Sequence, residues 1–295
     1  MSSQIFVAAL WMLGSVASFC LMAIAGRVVS PALDTFEIML YRSLTGVVVV
    51  LGLAVATGRM GQVSLRHMPL QIVRNLAHFT GQNLWFLAIT IAPLAQVFAV
   101  EFTSPIWVLL LAPLVLGERV RGAQIVVAVA GFAGVLIVAQ PFSGTVSIGL
   151  LYVGIAAVFF AIANLLTRRL TRTVTVTGIL FWLTSLQLLF GLVAAGWDGD
   201  IAVPDESLVA WVVAIGLAGL CAHWCLTNAL RLAPASTIMP VDFLRLPLIA
   251  LVGTWIYSEA LDPMVLIGGA VIFSAAWINL RLVRPPKGQI VARAP

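Results

Sequence analysis

Charged residues are scarce in this sequence. Only 9% of its 295 residues are Asp, Glu, Lys or Arg, whereas 62% are hydrophobic and the mean hydropathy is +1.11. Soluble domains carry about a quarter of their residues as charged side chains, which keep their surfaces in water. The scarcity therefore excludes a soluble globular fold and indicates a chain that lies in a lipid bilayer.

Cysteines and recognisable enzyme motifs are equally sparse. The three cysteines, Cys20, Cys221 and Cys225, lie in apolar segments, and the last two are four residues apart on one predicted helix, which is unlike a disulfide framework. The sequence lacks a His-Glu-x-x-His metal site and a Gly-x-Ser-x-Gly nucleophile turn. We therefore expect no metal and no cofactor. An intramembrane enzyme, with Glu101 and Asp242 as a carboxylate pair, is kept as an alternative of a different class.

A net charge of +5 raises the question of nucleic acid as a partner. The basic residues are spread through short segments, and no module of interleaved basic and aromatic residues is present. We therefore expect no nucleic-acid binding and read the basic residues as determinants of membrane orientation.

Long apolar runs dominate the sequence. A helix needs about 20 mostly apolar residues to cross a hydrocarbon layer about 30 Å thick. Ten such runs follow one another, separated by turn residues. The fold class is therefore predicted as an all-α integral membrane protein with ten transmembrane helices. The predicted spans are Ile5–Ala25, Phe36–Ala56, Leu70–Ile91, Leu94–Leu116, Gln124–Ala139, Val146–Thr167, Val176–Ala195, Ser207–Leu232, Ser236–Ile256 and Pro263–Leu282.

The positive residues predict how the chain is oriented. Lys and Arg in short loops are retained on the cytoplasmic side of a membrane. If both termini are cytoplasmic, twelve of the 16 Lys and Arg residues fall inside and only Arg27 falls outside. The other three, Arg42, Arg74 and Arg245, lie within predicted spans. We therefore expect a multi-pass protein of a bacterial-type inner (plasma) membrane with both termini in the cytoplasm.

The chain also matches itself at a shift of 141 residues without gaps. The matching positions include Phe19 with Phe160, Ala92-Pro93 with Ala233-Pro234, Val100-Glu101-Phe102 with Val241-Asp242-Phe243, and Glu118 with Glu259. The predicted repeats, residues 1–143 and 144–295, each hold five spans. Because five is odd, the second repeat enters the membrane inverted relative to the first, an arrangement typical of transporters.

On these residues the chain resembles the drug/metabolite transporter superfamily, in particular its ten-helix EamA type. The segments that carry the resemblance are Ala92-Pro-Leu-Ala95, Phe102-Thr-Ser-Pro-Ile-Trp107, Leu116-Gly-Glu118, Ala229-Leu-Arg-Leu-Ala-Pro-Ala-Ser236, Pro247 and Ser258-Glu259. Pro247 is offset by one position from the counterpart of Pro105, so we expect two helix breaks that are not strictly symmetric. The resemblance implies alternating access around a cavity at the membrane midplane. It is greatest to YddG-type amino-acid exporters, with carriers of S-adenosylmethionine, nucleotide sugars or cationic drugs as alternatives.

The third and eighth spans carry unusual numbers of polar residues. Gln71, Arg74, His78, Gln82 and Trp85 recur at helical spacing in the third span and so share one face. Ionisable groups inside a membrane are costly, which makes them functional candidates by default. The polar face of the third span either lines a water-filled cavity or is a polar stripe buried against a neighbouring helix. The eighth span also carries polar residues, His223 and Asn228, which could face the same cavity.

Two acids occupy equivalent positions of the repeats. Glu101 and Asp242 could bind a substrate ammonium or carry a proton, whereas Asp242 and Arg245, three residues apart on a helix, could simply neutralise each other. Histidine titrates near neutral pH, which makes the proton a further candidate partner. The predicted partners are the bilayer and a zwitterionic amino acid, aromatic ones included, moved outward. The predicted substrate-binding residues are His78, Gln82, Trp85, Glu101, Trp107, Asn164, His223, Asn228, Asp242 and Arg245.

Overall fold

A computed structural model describes residues 3–92, 94–117, 120–139, 148–257 and 263–282. These residues form helices and short connections and contain no β-strand. The all-α prediction is therefore confirmed. Glu118, Ser258 and Glu259, which carry part of the family resemblance, lie outside the described residues.

The helices are numbered in chain order, and two 3₁₀ segments, Met60–Gln62 and Met239–Leu244, stand between them. The α-helices are α1 (Ser3–Val29), α2 (Thr35–Ala56), α3 (Met68–Ile91), α4 (Leu94–Glu101), α5 (Ser104–Leu116), α6 (Gly122–Ala139), α7 (Ile148–Leu170), α8 (Val176–Ala195), α9 (Glu206–Leu232), α10 (Ala235–Ile238), α11 (Arg245–Tyr257) and α12 (Pro263–Leu282).

Several of these helices are suited to a bilayer. Five of them, α1, α2, α7, α8 and α9, are long and apolar enough to cross a membrane, and shorter apolar stretches occur in α5 and α6. The third predicted span coincides with α3, which has many buried polar residues. The count of ten spans stays a prediction.

Two predicted spans are not single helices. Leu94–Leu116 is broken between α4 and α5, where Pro105 lies in the first turn of α5. Proline has no N–H to donate to the carbonyl four residues earlier, so the helix cannot run through unchanged. The span predicted at Ser236–Ile256 consists of α10, the segment Met239–Leu244 and α11. Pro240 lies at the start of that 3₁₀ segment, and Pro247 lies in the first turn of α11.

Four of the six helix starts in the second half lie 141 residues after their counterparts in the first half. The pairs are Thr35 with Val176, Leu94 with Ala235, Ser104 with Arg245, and Gly122 with Pro263. The helices that resume after the two breaks are thus in register despite the offset of Pro247. The asymmetry precedes the breaks, since α4 is α-helical throughout, whereas its counterpart, residues 235–242, is α-helical only in its first half and 3₁₀ in its second. The inverted orientation of the repeats stays a prediction.

The most extensive helix contacts join one half of the chain to the other. They pair α1 with α9, α3 with α7, α2 with α8, and α6 with α12. The main core includes the buried rings of Trp85, Phe98, Phe102 and Phe243. The two halves are therefore interleaved, and residues of both surround the centre of the bundle.

A capping interaction fixes the start of α2 and one connection. Asp34 and Glu37 form reciprocal hydrogen bonds of 2.8 Å between each side chain and the other's backbone N–H, which is a capping box. Glu37 Oε1 also accepts from the backbone N–H of Ala202, and the Tyr41 hydroxyl donates to the carbonyl of Ala202. Glu37 thus holds the connection between α8 and α9, and it does not line the cavity described below.

Candidate substrate site

A cavity of about 40 Å³ lies among α1, α3, α4, α5, α7, α9, the 3₁₀ segment Met239–Leu244 and α11, and is called the central cavity here. This volume holds about three water molecules. Its lining combines aromatic, thioether and polar side chains. The lining residues are Met12, Phe19, Met22, His78, Gln82, Trp85, Glu101, Ser104, Phe160, Asn164, His223, Leu226, Met239, Asp242 and Arg245.

Eight of the ten predicted site residues line the central cavity. They are His78, Gln82, Trp85, Glu101, Asn164, His223, Asp242 and Arg245. The other two lie elsewhere. Trp107 is 39% exposed on α5, and the buried Asn228 amide donates to the backbone carbonyl of Trp224 at 2.9 Å. Trp182 and Trp224 do not line the cavity either, so Trp85 is its only tryptophan among the described residues.

Three charged side chains meet at one edge of the central cavity, and we call them the ion cluster: Glu101, Asp242 and Arg245. Arg245 Nη2 lies 2.7 Å from Glu101 Oε1 and 2.7 Å from Asp242 Oδ2. The neutralisation that the spacing of Asp242 and Arg245 allowed does occur, but the guanidinium is shared with Glu101 of the other half. Two buried carboxylates therefore face a single guanidinium.

Aromatic rings surround the ion cluster. The Arg245 guanidinium carbon lies 5.0 Å from the ring centroids of Phe19 and Phe102 and 5.6 Å from that of Phe98. These distances are within the range of cation–π attraction. On the other side, Trp85 Nε1 donates to Glu101 Oε2 at 2.6 Å. Both oxygens of Glu101 are therefore occupied, one by a guanidinium and one by an indole.

A pair of histidines joins α3 to α9. The Nε2 atoms of His78 and His223 are 2.9 Å apart, so one of them donates a hydrogen bond to the other. Gln187 Nε2 lies 3.0 Å from the carbonyl of Asn75 and 3.1 Å from His78 Nδ1. Because a carbonyl can only accept, this amide donates both of its hydrogens, and His78 Nδ1 is the acceptor.

This hydrogen-bond network assigns the tautomers. His78 carries its proton on Nε2 and donates it to Nε2 of His223, so His223 carries its own proton on Nδ1. That Nδ1 atom is buried and has no protein partner among the described residues. The order of donation runs from Gln187 through His78 to His223 and ends at a free N–H on a residue that lines the central cavity.

Other buried polar atoms of the cavity lining also lack partners within the described residues. They are Ser104 Oγ, Asp242 Oδ1 and Arg245 Nε. A buried polar atom without a hydrogen bond costs about 1–3 kcal/mol. Together with His223 Nδ1 they supply two N–H donors, one carboxylate acceptor and one hydroxyl. These groups could therefore pair with a ligand that both donates and accepts hydrogen bonds.

A second, smaller cavity of about 10 Å³ lies beside the histidine pair and is bordered by Arg42 and Gln187. Gly219 permits the close approach of Arg42, since a Cβ atom there would lie 2.6 Å from Arg42 Nε. Arg74 on α3 donates to Thr167 Oγ1 on α7 at 2.9 Å. Within the described part of the chain, neither arginine forms an ion pair with a carboxylate.

Sequence reasoning missed several lining residues. Phe19 and Phe160 are a matched pair at the 141-residue shift, and this match was the available signal that both belong to the site. Ser104 is the counterpart of Arg245 at the same shift. Gln187, which borders the second cavity, is the only amide side chain in the apolar helix α8, and this was its only signal.

Comparison with known proteins shows the family of this chain. The model of the EamA-like transporter family matches the chain twice, over residues 6–140 and 147–281. This chain belongs to the EamA-like transporter family. The two matches are themselves offset by 141 residues. As a member of this family, the chain is a small-molecule transporter with several membrane-spanning helices, and nothing in the comparisons indicates an enzymatic activity.

Among its relatives is a riboflavin transporter of Rhizobium johnstonii, which is 32% identical over 76% of this chain and 74% of its own length. A riboflavin transporter of Brucella anthropi is 31% identical over 78% of this chain and 82% of its own. An S-adenosylmethionine uptake transporter of Rickettsia prowazekii is 24% identical over 90% of this chain and 89% of its own length. A solved crystal structure superposes with a TM-score of 0.75 over 94% of this chain and 99% of that one, and at 20% identity it shows a common fold.

Proposed function

We propose that this EamA-like transporter takes up a neutral heteroaromatic metabolite of the riboflavin class. The observation that carries the proposal is the lining of the central cavity, where aromatic rings stand beside buried polar atoms that lack partners. The two riboflavin transporters that are 31% and 32% identical to this chain support the same substrate.

The chemistry of a flavin complements this lining. A flat polar ring system gains from aromatic side chains on its faces, and Phe19, Trp85 and Phe160 supply them. The pyrimidine edge of a flavin presents a carbonyl, an N–H and a second carbonyl, which require a donor, an acceptor and a donor. His223 Nδ1 and Arg245 Nε are donors of this kind, and the Ser104 hydroxyl can accept. Pairing them offsets the cost of moving a polar ring out of water.

The central cavity is too small for such a molecule in the conformation described. A volume of about 40 Å³ admits only water, so binding requires the surrounding helices to separate. The breaks before α5 and α11 adjoin the ion cluster, and helix ends are places where a few residues absorb large backbone rotations. We propose that these breaks move as the site alternates between the two sides of the membrane.

A second candidate substrate is S-adenosylmethionine. The specific observation in its favour is the ion cluster, in which Glu101 and Asp242 share the single guanidinium of Arg245. A substrate with a positive charge would balance the remaining carboxylate. The Rickettsia prowazekii relative, named an S-adenosylmethionine uptake transporter, adds support at lower identity.

Amino-acid export, expected from the family resemblance, ranks behind both. The relatives compared above are named for riboflavin and S-adenosylmethionine, and the latter for uptake, so an amino-acid substrate and outward transport have no support among them. The ion cluster has charges of both signs, which keeps a zwitterion chemically feasible as a third choice.

The proposed architecture follows the repeat. Residues 1–143 and 144–295 form two inverted five-helix halves with ten spans in total, and both termini face the cytoplasm of a bacterial cell whose inner membrane holds the protein. The support is the common register of four pairs of helix starts at a shift of 141 residues and the distribution of Lys and Arg.

Growth of a bacterial strain that cannot synthesise riboflavin tests the proposed substrate. Expression of the wild-type chain should restore growth at a riboflavin concentration too low to support the parent strain. Trp85→Ala should fail to do so, because Trp85 lines the cavity, whereas Trp107→Ala, on an exposed residue of α5, should succeed. Failure of the wild type, with the protein present in the membrane by immunoblot, would overturn riboflavin as the substrate.

A further inference from the structure

The ion cluster carries one more negative than positive charge inside the bundle. Glu101, Asp242 and Arg245 are 5–7% exposed, so water screens this excess poorly. A buried charge without compensation is strongly unfavourable. Within the described residues the two other buried arginines, Arg42 and Arg74, border the histidine pair and form no ion pair with Glu101 or Asp242.

The two carboxylates differ in how they are satisfied. Glu101 uses both oxygens, one toward Arg245 and one toward the indole of Trp85. Asp242 uses only Oδ2, toward Arg245, and its Oδ1 is buried without a partner among the described residues. A proton on Oδ1 would both remove the excess charge and provide a hydroxyl that can donate to a ligand.

From these two observations we infer that Asp242 Oδ1 is the binding site of a coupling proton, taken up together with a neutral substrate and released on the other side of the membrane. The inference rests on the proposed function, since it assumes a substrate without net charge. A proton from the outside water binds Asp242, the cluster becomes neutral, and the loaded site changes its access. Deprotonation inside restores the excess charge.

The other titratable groups around Asp242 are less suited to this role. Arg245 is a permanent cation, and Cys20 on α1 lies in an apolar segment that packs against the cluster. The histidine pair has no free acceptor: His78 Nδ1 faces an amide donor, the Nε2 atoms bond to each other, and His223 Nδ1 already holds a proton. Arg42 and Arg74 add positive charge beside the pair. The helices α6, α10 and α12 contribute no titratable group near the 3₁₀ segment that bears Asp242.

A proton is favoured over a metal cation at this position. A sodium ion would need several oxygen ligands and would lie close to the guanidinium of Arg245, which repels it. No group of metal-ligating side chains is assembled in the described ranges. A proton needs a single oxygen and is compatible with the hydrogen bond between Asp242 and Arg245.

Uptake of radiolabelled riboflavin into proteoliposomes tests the coupling, with the membrane potential clamped by potassium and valinomycin. With a gradient of about one pH unit, acidic outside, vesicles should accumulate about ten times more riboflavin than vesicles without a pH gradient. This is the ratio expected when one proton enters with each substrate molecule. A sodium gradient should drive none. A pH-sensitive dye inside the vesicles should report acidification of the interior when riboflavin is added outside. Accumulation that ignores the pH gradient, or follows sodium, would overturn the inference.

Variants assign the response to one residue. Asp242→Asn should remove the response to the pH gradient, so that the ratio of uptake with the gradient to uptake without it falls to about one. Asp242→Glu should restore the response. Ser104 and His223 line the cavity, so Ser104→Ala and His223→Gln should lower uptake, but the ratio of uptake with the pH gradient to uptake without it should stay at about ten, because neither removes the carboxylate. Loss of the response in His223→Gln but not in Asp242→Asn would place the proton on the histidine pair and contradict the inference. Should Asp242→Asn not fold, the dye measurement on the wild type still decides whether a proton moves.

Exchange flux without any gradient separates this inference from the proposed function. Riboflavin exchange with no pH response refutes the proton site alone. If riboflavin shows no exchange but S-adenosylmethionine does, the substrate proposal fails. In that case the positively charged substrate itself neutralises the ion cluster. Protons outside should then compete with uptake of S-adenosylmethionine in the wild type but not in Asp242→Asn. Absence of this competition in the wild type would refute the proton site as well.

Discussion

His78 on α3 and His223 on α9 share a hydrogen bond of 2.9 Å between their Nε2 atoms. The bond connects helices from the two halves of the chain at the wall of the central cavity. On one side, Gln187 leads to the smaller cavity that Arg42 borders, and on the other side lies the ion cluster. The histidine pair thus separates a region with excess positive charge from one with excess negative charge.

The histidine bond should behave as a single unit in a double-mutant cycle. His78→Leu and His223→Leu each leave a buried polar group without its partner, which costs about 1–3 kcal/mol. The double variant removes both partners, so its loss of stability should be smaller than the sum. Thermal unfolding of the purified proteins in detergent measures this. Strictly additive losses would show that the two rings do not interact.

The close approach of α9 to Arg42 makes Gly219 sensitive to substitution. The new Cβ atom of Gly219→Ala would lie 2.6 Å from Arg42 Nε, so the buried guanidinium must move, and we expect a loss of about 1 kcal/mol. Gly52→Ala is the matched control, because its Cβ meets nothing within 4 Å and alanine favours the helix by about 1 kcal/mol. Equal unfolding midpoints for the two variants would contradict the packing described.

The ion cluster predicts a rescue between two substitutions. Arg245→Leu leaves Glu101 and Asp242 as buried carboxylates without a cation and should cost about 3–5 kcal/mol. Adding Asp242→Asn removes one of these charges and should restore part of the stability. The comparison is made on detergent-solubilised protein by thermal unfolding. A double variant less stable than Arg245→Leu alone would show that the carboxylates are not held by this guanidinium.

The predicted orientation can be checked with two exposed loop positions. Val203 lies between α8 and α9 and is expected outside, whereas Ser64 lies between α2 and α3 and is expected in the cytoplasm. A membrane-impermeant thiol reagent should label Val203→Cys in intact cells and Ser64→Cys only after permeabilisation. The wild-type chain, with its three native cysteines, gives the background. The reverse pattern would place both termini outside.

Much of the fold follows from the sequence because apolar runs of sufficient length leave few alternatives to membrane helices. Spans such as Val176–Ala195 and Pro263–Leu282 match their helices residue for residue. The broken helices were harder. Hydropathy continues through the breaks before α5 and α11, and only Pro105, Pro240 and Pro247 indicate that hydrogen bonding is interrupted there.

The cavity lining was predicted mainly at its polar and ionisable residues and missed mainly at its apolar ones. A buried His, Glu or Arg in an apolar helix needs a partner, which brought His78, Glu101 and Arg245 into consideration. Phenylalanines such as Phe19 are common in apolar spans, so composition does not mark them. Trp107, predicted as a site residue, lies on an exposed part of α5 away from the central cavity, and a tryptophan in a membrane helix serves an outer surface equally well.

Exchange of riboflavin in proteoliposomes is the most direct test of the account. Vesicles that contain purified protein and unlabelled riboflavin are mixed with labelled riboflavin, and the saturable influx is compared with that of S-adenosylmethionine and of a panel of amino acids. The account predicts saturable riboflavin exchange in the wild type, a raised half-saturation concentration in Trp85→Phe, which keeps an aromatic ring but loses the indole bond to Glu101, and no change in Trp107→Phe. Saturable exchange of amino acids without exchange of riboflavin or S-adenosylmethionine would contradict it.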